Sequence, residues 1–565
     1  VEVAHLTCEH SVEMIRLLKT LLYCLLLISP ADVLGRLNAR KSANEASLYS
    51  DTDNVIMLDI ESLRPALNLK NSKLVQFLNS FCGDCHRFAP VFKTLSRDLY
   101  KWRRILRIYA VDCAQERNAQ LCREFNIRQT PSLRFFGPDM RKNDDVLGAV
   151  IPGQDPEFIS STLAELVSQN DYGPGQPNFR PLKATDYEIF QDQDGETPIQ
   201  FVALVLQPKN SKIGRDTLLE LLPFKELSVR IIEDSQIFNE FGLGPDDQKL
   251  AIVDRNGTAQ YLTPSSDSSE AYASTIGDFL KNRNIQPDPP LPIAVAPNFT
   301  EFLDHQNQAI LTKVLTPPLQ VYRADLEQAI DKLLHIELRK WVLLEGNSLN
   351  ALKNIIKIFR YLNPLNKDGK LLLTDLDNSL SSKQSIKGAD FGDLVDSLEN
   401  GRRVFKARRY VGCIGSRPLL RSFTCSMWTL FHHLTVEAAK PPNYFEAGSI
   451  LKTFHGFAKY FFGCTDCSEH FQQMAIRRNL TSVKTHDEEI LWLWAAHNEV
   501  NARIAGDSTE DPKFPKIQFP SAENCPTCRS NDSEWRTDEV LKYLKQLYDI
   551  NNVSFYGLPT PQGYD

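Results

Sequence analysis

From residue 123 to residue 412 the sequence has no cysteine, although its 565 residues include twelve. Thiol chemistry is thereby excluded from the middle of the chain. A basic excess is also missing: 64 Lys and Arg stand against 71 Asp and Glu, and no basic stripe is interleaved with aromatics. Nucleic acid would gain little electrostatic attraction from such a chain. No apolar run reaches the ~20 residues that a bilayer span requires, so no transmembrane anchor is expected. Nor is any cysteine left over. Cys8 and Cys24 precede residue 35, and the other ten fall into close pairs: Cys82 with Cys85, Cys113 with Cys122, Cys413 with Cys425, Cys464 with Cys467, and Cys525 with Cys528. In an oxidising compartment this arithmetic reads as five local disulfides. Three of them are C-x-x-C, which close loops too short to restrict the unfolded chain much, so stabilisation explains those three poorly.

What is present agrees with an oxidising compartment. Residues 14–35 carry Met14, then Arg16 and Lys19, an apolar run over 21–28 and a small residue at Gly35. They read as a secretory signal peptide, with residues 1–13 as an upstream translation artefact. The expected location is the secretory lumen (endoplasmic reticulum and Golgi) and the extracellular space. N-x-[ST] sequons at Asn256, Asn298, Asn479, Asn531 and Asn552 fit that location as glycosylation candidates.

The length implies three or four domains. Residues 46–170 alternate β-rich runs with helical patterns, an α/β signature. "CGDC" at 82–85 lies between a strand and a helix, and Thr130-Pro131 precedes a later strand. Residues 180–285 repeat the alternation, with "QPKNSK" where the first unit has its cysteines. This second unit is expected to be a spacer or binding surface. Residues 297–400 have apolar residues at helical spacing and read as a packed helix-rich region. Residues 401–550 carry four helical patterns, with six of the eleven histidines and six of the ten paired cysteines, and 551–565 form a tail.

In the last of these regions, Trp428 and His432 lie at i and i+4. Asp466 and His470 have the same spacing beside Cys464 and Cys467, and Trp494, His497 and Asn501 lie at i, i+3 and i+7. Each set shares one helix face. Zinc is the rival for Cys and His, but ribbon-type C-x-x-C pairs are usually ~15 to 20 residues apart, and Cys467 and Cys525 are far more separated. No metal is therefore expected. Flat aromatic and hydrogen-bonding groups on facing helices suit a flavin better.

The 46–170 unit resembles a thioredoxin domain, in which the matching proline is cis and packs beside the active-site disulfide. The set W-x-x-x-H, C-x-x-C-x-x-H and W-x-x-H-N-x-V-N resembles the FAD-binding four-helix domain of Erv-type sulfhydryl oxidases. Together they resemble the quiescin sulfhydryl oxidase family. The resemblance implies a multidomain α/β plus all-α protein: two thioredoxin-fold domains, the second redox-inactive, a helical linker region and a C-terminal FAD-binding four-helix bundle.

Carried over position by position, the resemblance implies FAD contacts at Arg421, Trp428, His432, Asp466, His470, Trp494, His497, Asn498, Val500, Asn501, Lys516 and Phe519, the last a position where relatives often have tryptophan. It implies structural disulfides at Cys113/Cys122 and Cys413/Cys425. Cys525/Cys528 matches a third C-x-x-C of the family and reads as structural. The implied reaction is 2 R-SH + O₂ giving R-S-S-R + H₂O₂, with reduced secretory or extracellular protein thiols as substrates and the enzyme a monomer.

Electrons would pass from Cys82/Cys85 to Cys464/Cys467, then to FAD and oxygen, with Cys82 attacking Cys464. The linkers at 171–182 and 286–297 would be the hinges. A disulfide isomerase or thiol-binding chaperone without oxidase activity is the alternative. One departure stands out: Asp84 occupies the place where relatives commonly have histidine. Its charge is expected to raise the pKa of Cys82 and make that disulfide harder to reduce.

Overall fold

The computed structural model describes residues 46–559 and 563–564, apart from residues 51, 139–146, 170–176, 185, 187–188, 191–196, 245–246, 293–303, 531 and 533. The expected signal peptide, the upstream residues 1–13, the sequons at Asn298 and Asn531 and parts of both expected hinges lie outside the described residues.

Strands buried on both faces organise the N-terminal unit. β2 (Ser72–Leu78) is buried at every position, as a strand covered by helices on both faces must be. It pairs in parallel with β3 (Leu106–Asp112) and antiparallel with β4 (Ser132–Phe136). β1 (Ile56–Leu58) and β5 (Ala149–Ile151) complete the order β1-β3-β2-β4-β5. The chain leaves β2 through the loop that carries Cys82, the N-cap of α1 (Gly83–Asp98). Thr130-Pro131 is cis and leads into β4.

The second unit repeats this plan. β6 (Phe201–Leu206) is parallel to β7 (Leu227–Ile232) and antiparallel to β8 (Leu250–Asp254), which pairs with β9 (Ala259–Tyr261). In the order β7-β6-β8-β9, β6 takes the place of β2. Gln207 to Lys212 then take the place of the C-x-x-C loop, before α2 (Ile213–Leu221). Two thioredoxin folds stand side by side, tied by Lys101 to Glu220 at 2.5 Å and Arg103 to Asp288 at 2.8 Å.

The remainder is helical. α3 (Arg323–Lys332), α4 (Gly346–Leu362), α5 (Lys367–Ser381) and α6 (Gly388–Glu399) precede α7 (Ser422–Ala438), α8 (Ser449–Tyr460), α9 (Thr465–Arg477), α10 (His486–Ile504) and α11 (Thr537–Leu547). Their apolar faces close on one core that runs from Val321 to Val553. The helix-rich region is thus packed as part of the same body as the bundle. A capping box starts α10: Thr485 Oγ1 accepts from Glu488 N, and the Glu488 carboxylate accepts from Thr485 N. It fixes where the helix begins, and so where His497, Asn498 and Asn501 fall along it.

Three of the five expected local disulfides are present, Cys113–Cys122, Cys413–Cys425 and Cys525–Cys528. The other two are replaced. Cys82 is bonded to Cys464, 382 residues away and 5.2 Å between Cα atoms, which leaves Cys85 and Cys467 as free thiols. The physical reason is that the first thioredoxin domain is seated on the helical body with the starts of α1 and α9 facing each other. Each of these sulfurs can hold one partner, so the cross-link excludes both local pairs.

Candidate active site

Both C-x-x-C motifs have the same local geometry. Cys82 and Cys464 are N-caps with extended backbone (ψ 119° and 108°), and each helix has an aspartate in its first turn, Asp84 and Asp466. The free N–H groups and dipole at such a terminus favour a thiolate on the N-terminal cysteine.

Main-chain pairing brings the two termini together. Gly463 O accepts from Thr130 N at 2.9 Å and from Thr130 Oγ1 at 2.7 Å, while Thr465 N donates to Thr130 O at 3.3 Å. Thr130 and Cys464 thus form a parallel bridge beside the cis proline. Cys464 Sγ lies 2.9 Å from Cys467 Sγ. The Phe81 ring packs between Phe423 and Phe462, at 4.9 and 5.6 Å. Arg87 reaches across to Asp466 at 2.7 Å and Asp507 at 3.2 Å, with Asp84 at 3.5 Å. Such half-exposed pairs contribute only about 0–1 kcal/mol each, so apolar and main-chain contacts dominate the seating.

The free thiols are far from ready to ionise. Burial pushes Cys85 up to about 12; hydrogen bonds from Thr130 and Asn79 oppose this, and Asp112 and Asp84 reinforce it. Cys467 is pushed up to about 11, by burial first and Asp466 second, with Arg503 and Arg87 pulling it back.

Cys467 opens onto a cavity of about 500 Å³ between the helices. Of the twelve flavin candidates, the structure places eight on its wall: Arg421, Trp428, His470, His497, Val500, Asn501, Lys516 and Phe519. Trp428 and His497 stack at 4.2 Å and 12°, a flat surface one ring deep. His432 lies behind it, with Nε2 3.1 Å from His497 Nδ1. Burial drives both imidazoles well below their ordinary pKa, His432 to about 3, so the stacked Trp428–His497 surface carries no charge at neutral pH.

Three other candidates sit outside the wall. Trp494 Nε1 and Asn498 Nδ2 both donate to Phe519 O, at 2.5 and 2.8 Å, and Phe519 N donates to Asn498 Oδ1 at 2.7 Å. They hold the loop at Phe519 in place. Asp466 faces Arg87 and Arg503.

Sequence reasoning missed several wall residues. Tyr548 follows α11 and stacks on His432 at 4.9 Å; Phe514 lies under the Arg421 guanidinium at 3.6 Å; Tyr322 and Asp325 come from the helix-rich region. The only available signal was "KFPK", an aromatic between two cations at 513–516.

The residues fit FAD. Arg421 Nε is buried without a partner, and burial depresses the pKa of both Arg421, to about 10, and Lys516. Desolvated cations of this kind call for an anion, which the dinucleotide's diphosphate would supply, and the neutral surface of Trp428 and His497 would suit its ring. With Cys525 bonded to Cys528, neither is available as a thiolate metal ligand.

Three family models match in series: thioredoxin over residues 54–154, flavin adenine dinucleotide (FAD)-dependent sulfhydryl oxidase over 318–416, and the Erv1/Alr family over 425–520. Sulfhydryl oxidase 1 of Mus musculus is 32% identical over 560 residues, covering 94% of this chain and 71% of that protein. The chain belongs to the quiescin sulfhydryl oxidase family.

Human sulfhydryl oxidase 1 is 31% identical over 537 residues, covering 91% of this chain and 68% of its own length. A solved structure, the sulfhydryl oxidase fragment of human QSOX1, is 36% identical and covers 42% of this chain and 98% of its own, with a TM-score of 0.39. The cofactor of this quiescin-family chain is FAD. Lys516→Met is expected to weaken FAD binding by about tenfold or more, as loss of a hydrogen bond to a charged group does. Titrating apoprotein with FAD and following flavin fluorescence measures this; an unchanged Kd would count against a phosphate-binding role for Lys516.

Proposed function

We propose that Cys82/Cys85 and Cys464/Cys467 form the two stations of a dithiol relay inside this flavin-linked thiol oxidase. The overall reaction takes 2 R-SH + O₂ to R-S-S-R + H₂O₂. A substrate thiolate attacks Cys82 of the Cys82–Cys85 disulfide; the substrate's second thiolate attacks the resulting mixed disulfide, leaving the substrate oxidised and the first station reduced.

Cys82 thiolate then attacks Cys464, and the electron pair leaves on Cys467 at the cavity wall. Cys85 next attacks Cys82, the Cys82–Cys464 bond breaks, and its electron pair leaves on Cys464. FAD, when bound, supplies a two-electron acceptor that oxygen regenerates.

The observation that carries this reading is the Cys82–Cys464 bond with Cys85 and Cys467 free. It has the connectivity of the middle of that sequence. Around it, Arg421, Lys516, Trp428, His497, Val500, Asn501 and Phe519 would hold the cofactor, while His432, Trp494 and Asn498 would position that wall. A disulfide isomerase without oxidase activity is not favoured, because it leaves the FAD-dependent oxidase match unexplained.

Reduced proteins of the secretory lumen and outside the cell are the proposed substrates. Exposure of Asn256, Asn479 and Asn552 supports these sequons as glycosylation sites in that compartment. One chain holds both stations, so a monomer suffices.

The double variant Cys85→Ser, Cys467→Ser tests the relay, because it removes the two thiols that would break the cross-link. A stable intramolecular Cys82–Cys464 disulfide is expected as the main species on non-reducing peptide mass mapping. Its absence would count against Cys464 as the accepting sulfur.

A further inference from the structure

We infer that Asn79 is a positioning residue that registers the first thioredoxin domain on the flavin domain during electron transfer, by bridging Lys340 of the helix-rich region and Gly463 beside Cys464. The inference rests on the relay proposed above. Asn79 follows β2 and is 1% exposed. Both of its side-chain hydrogen bonds leave its own domain: Nδ2 donates to Gly463 O at 3.0 Å, and Oδ1 accepts from Lys340 Nζ at 3.0 Å. Its backbone carbonyl accepts from Cys82 N at 2.9 Å. A single residue therefore contacts two foreign surfaces and fixes the start of the C-x-x-C loop.

The Lys340 end is demanding. Lys340 is buried, and its Nζ lies 2.7 Å from Oε1 of Glu337, also buried. A buried ion pair is tolerated only where the remaining protons and lone pairs find partners. Asn79 Oδ1 accepts a hydrogen bond from one Lys340 N–H, and does so only while the domains are together.

The Gly463 end depends on shape. A Cβ at Gly463 would collide with Asn79 Nδ2. The side chain at 79 fills the space that the missing one at 463 leaves.

Both contacts exist only in the docked arrangement, so losing them should slow transfer between the stations and spare the attack of substrate on Cys82. In a cycle of two half-reactions these separate cleanly. The substrate half-reaction alone sets kcat/KM for the protein thiol, whereas kcat also includes transfer.

The test uses full-length, FAD-loaded protein and reduced, denatured lysozyme, in the variants Asn79→Ala, Gly463→Ala, their double and Cys82→Ser. Stopped-flow bleaching of the flavin at saturating substrate without oxygen reads transfer. Asn79→Ala is expected to slow bleaching by about ten- to hundredfold, the usual effect of losing a hydrogen bond to a buried charge, with kcat/KM unchanged. Gly463→Ala should slow it at least as much.

The double variant should bleach faster than Gly463→Ala alone, because shortening residue 79 removes the collision. A merely destabilising change at either position would not produce that rescue, and a double variant slower than both singles would overturn the pairing. Wild-type bleaching in both single variants, with Cys82→Ser inactive, would overturn the role of Asn79 and leave the relay standing. Wild-type bleaching in Cys82→Ser would overturn the relay itself.

Discussion

Cys82→Ser is expected to lower oxygen consumption with a reduced, unfolded protein by on the order of a thousandfold or more, the scale on which removing an attacking nucleophile acts. FAD should stay bound, because Cys82 is no part of the cavity wall. The two substrates should separate. Cys464 is fully buried while the thioredoxin domain covers it, and the variant loses the covalent link that adds to the non-covalent seating. A small dithiol such as dithiothreitol can then reach Cys464 directly and keep a slow turnover, whereas a bulky unfolded chain cannot follow it between the domains. An oxygen electrode with both substrates gives the comparison. Equal loss with both would contradict Cys82 as the entry point for protein thiols.

How far the sequence foretold this site depends on the range of the contact. Cys82 and Cys85 were legible between a strand and a helix because strand, loop and helix follow one another and leave period and punctuation in the sequence, whereas the cis Thr130-Pro131 peptide was implied by the thioredoxin resemblance. The redox-silent repeat was legible in the same way, since β6 is followed by "QPKNSK".

On α10 the spacing of Trp494, His497 and Asn501 implied a shared face, and two of the three, His497 and Asn501, line the cavity. It could not say that Trp494 would turn its Nε1 to Phe519 O while the other two line the cavity. Position along the axis is decided by what packs there.

The Cys82–Cys464 bond was foreseen only as a passing step of the relay, with Cys82 attacking Cys464, and not from the count or spacing of the cysteines. A count of ten cysteines in close pairs is satisfied by local disulfides, and nothing periodic links residues 382 apart. Asn79 was hidden for the same reason: its meaning lies in Lys340 and Gly463, which only docking brings near. The helix-rich region read as a packed helical stretch, yet Tyr322 and Asp325 reach the cavity at Cys467 from it. An amphipathic pattern shows that a face is buried but not against what.

Asp84 also acts on an atom that its place in the motif did not single out. From its place in C-G-D-C it was expected to act on Cys82. In the folded chain its carboxylate accepts from Gln154 Nε2 at 2.8 Å, lies 3.5 Å from Arg87, and its charge is among those raising Cys85.

The second large expected effect follows from Cys85. Its thiol, held up to about 12 mainly by burial, must ionise before it can attack Cys82 and release Cys464. Below that pKa the thiolate fraction rises about tenfold per pH unit. Flavin bleaching under saturating protein thiol should therefore accelerate by roughly a hundredfold between pH 7 and pH 9, with no plateau in that window.

Asp112, fully buried near Cys85, raises it more than Asp84 does, so removing the Asp84 charge should shift the profile without abolishing it. Asp84→Asn and Asp84→His should each bleach faster than wild type at pH 7, because losing the Asp84 charge lowers the Cys85 pKa. Stopped-flow absorbance across that pH range is the measurement. A profile flat from pH 7 to 9 would remove Cys85 ionisation as the controlling step; a shift absent in both Asp84 variants would free Cys85 from Asp84 and return the question to Cys82.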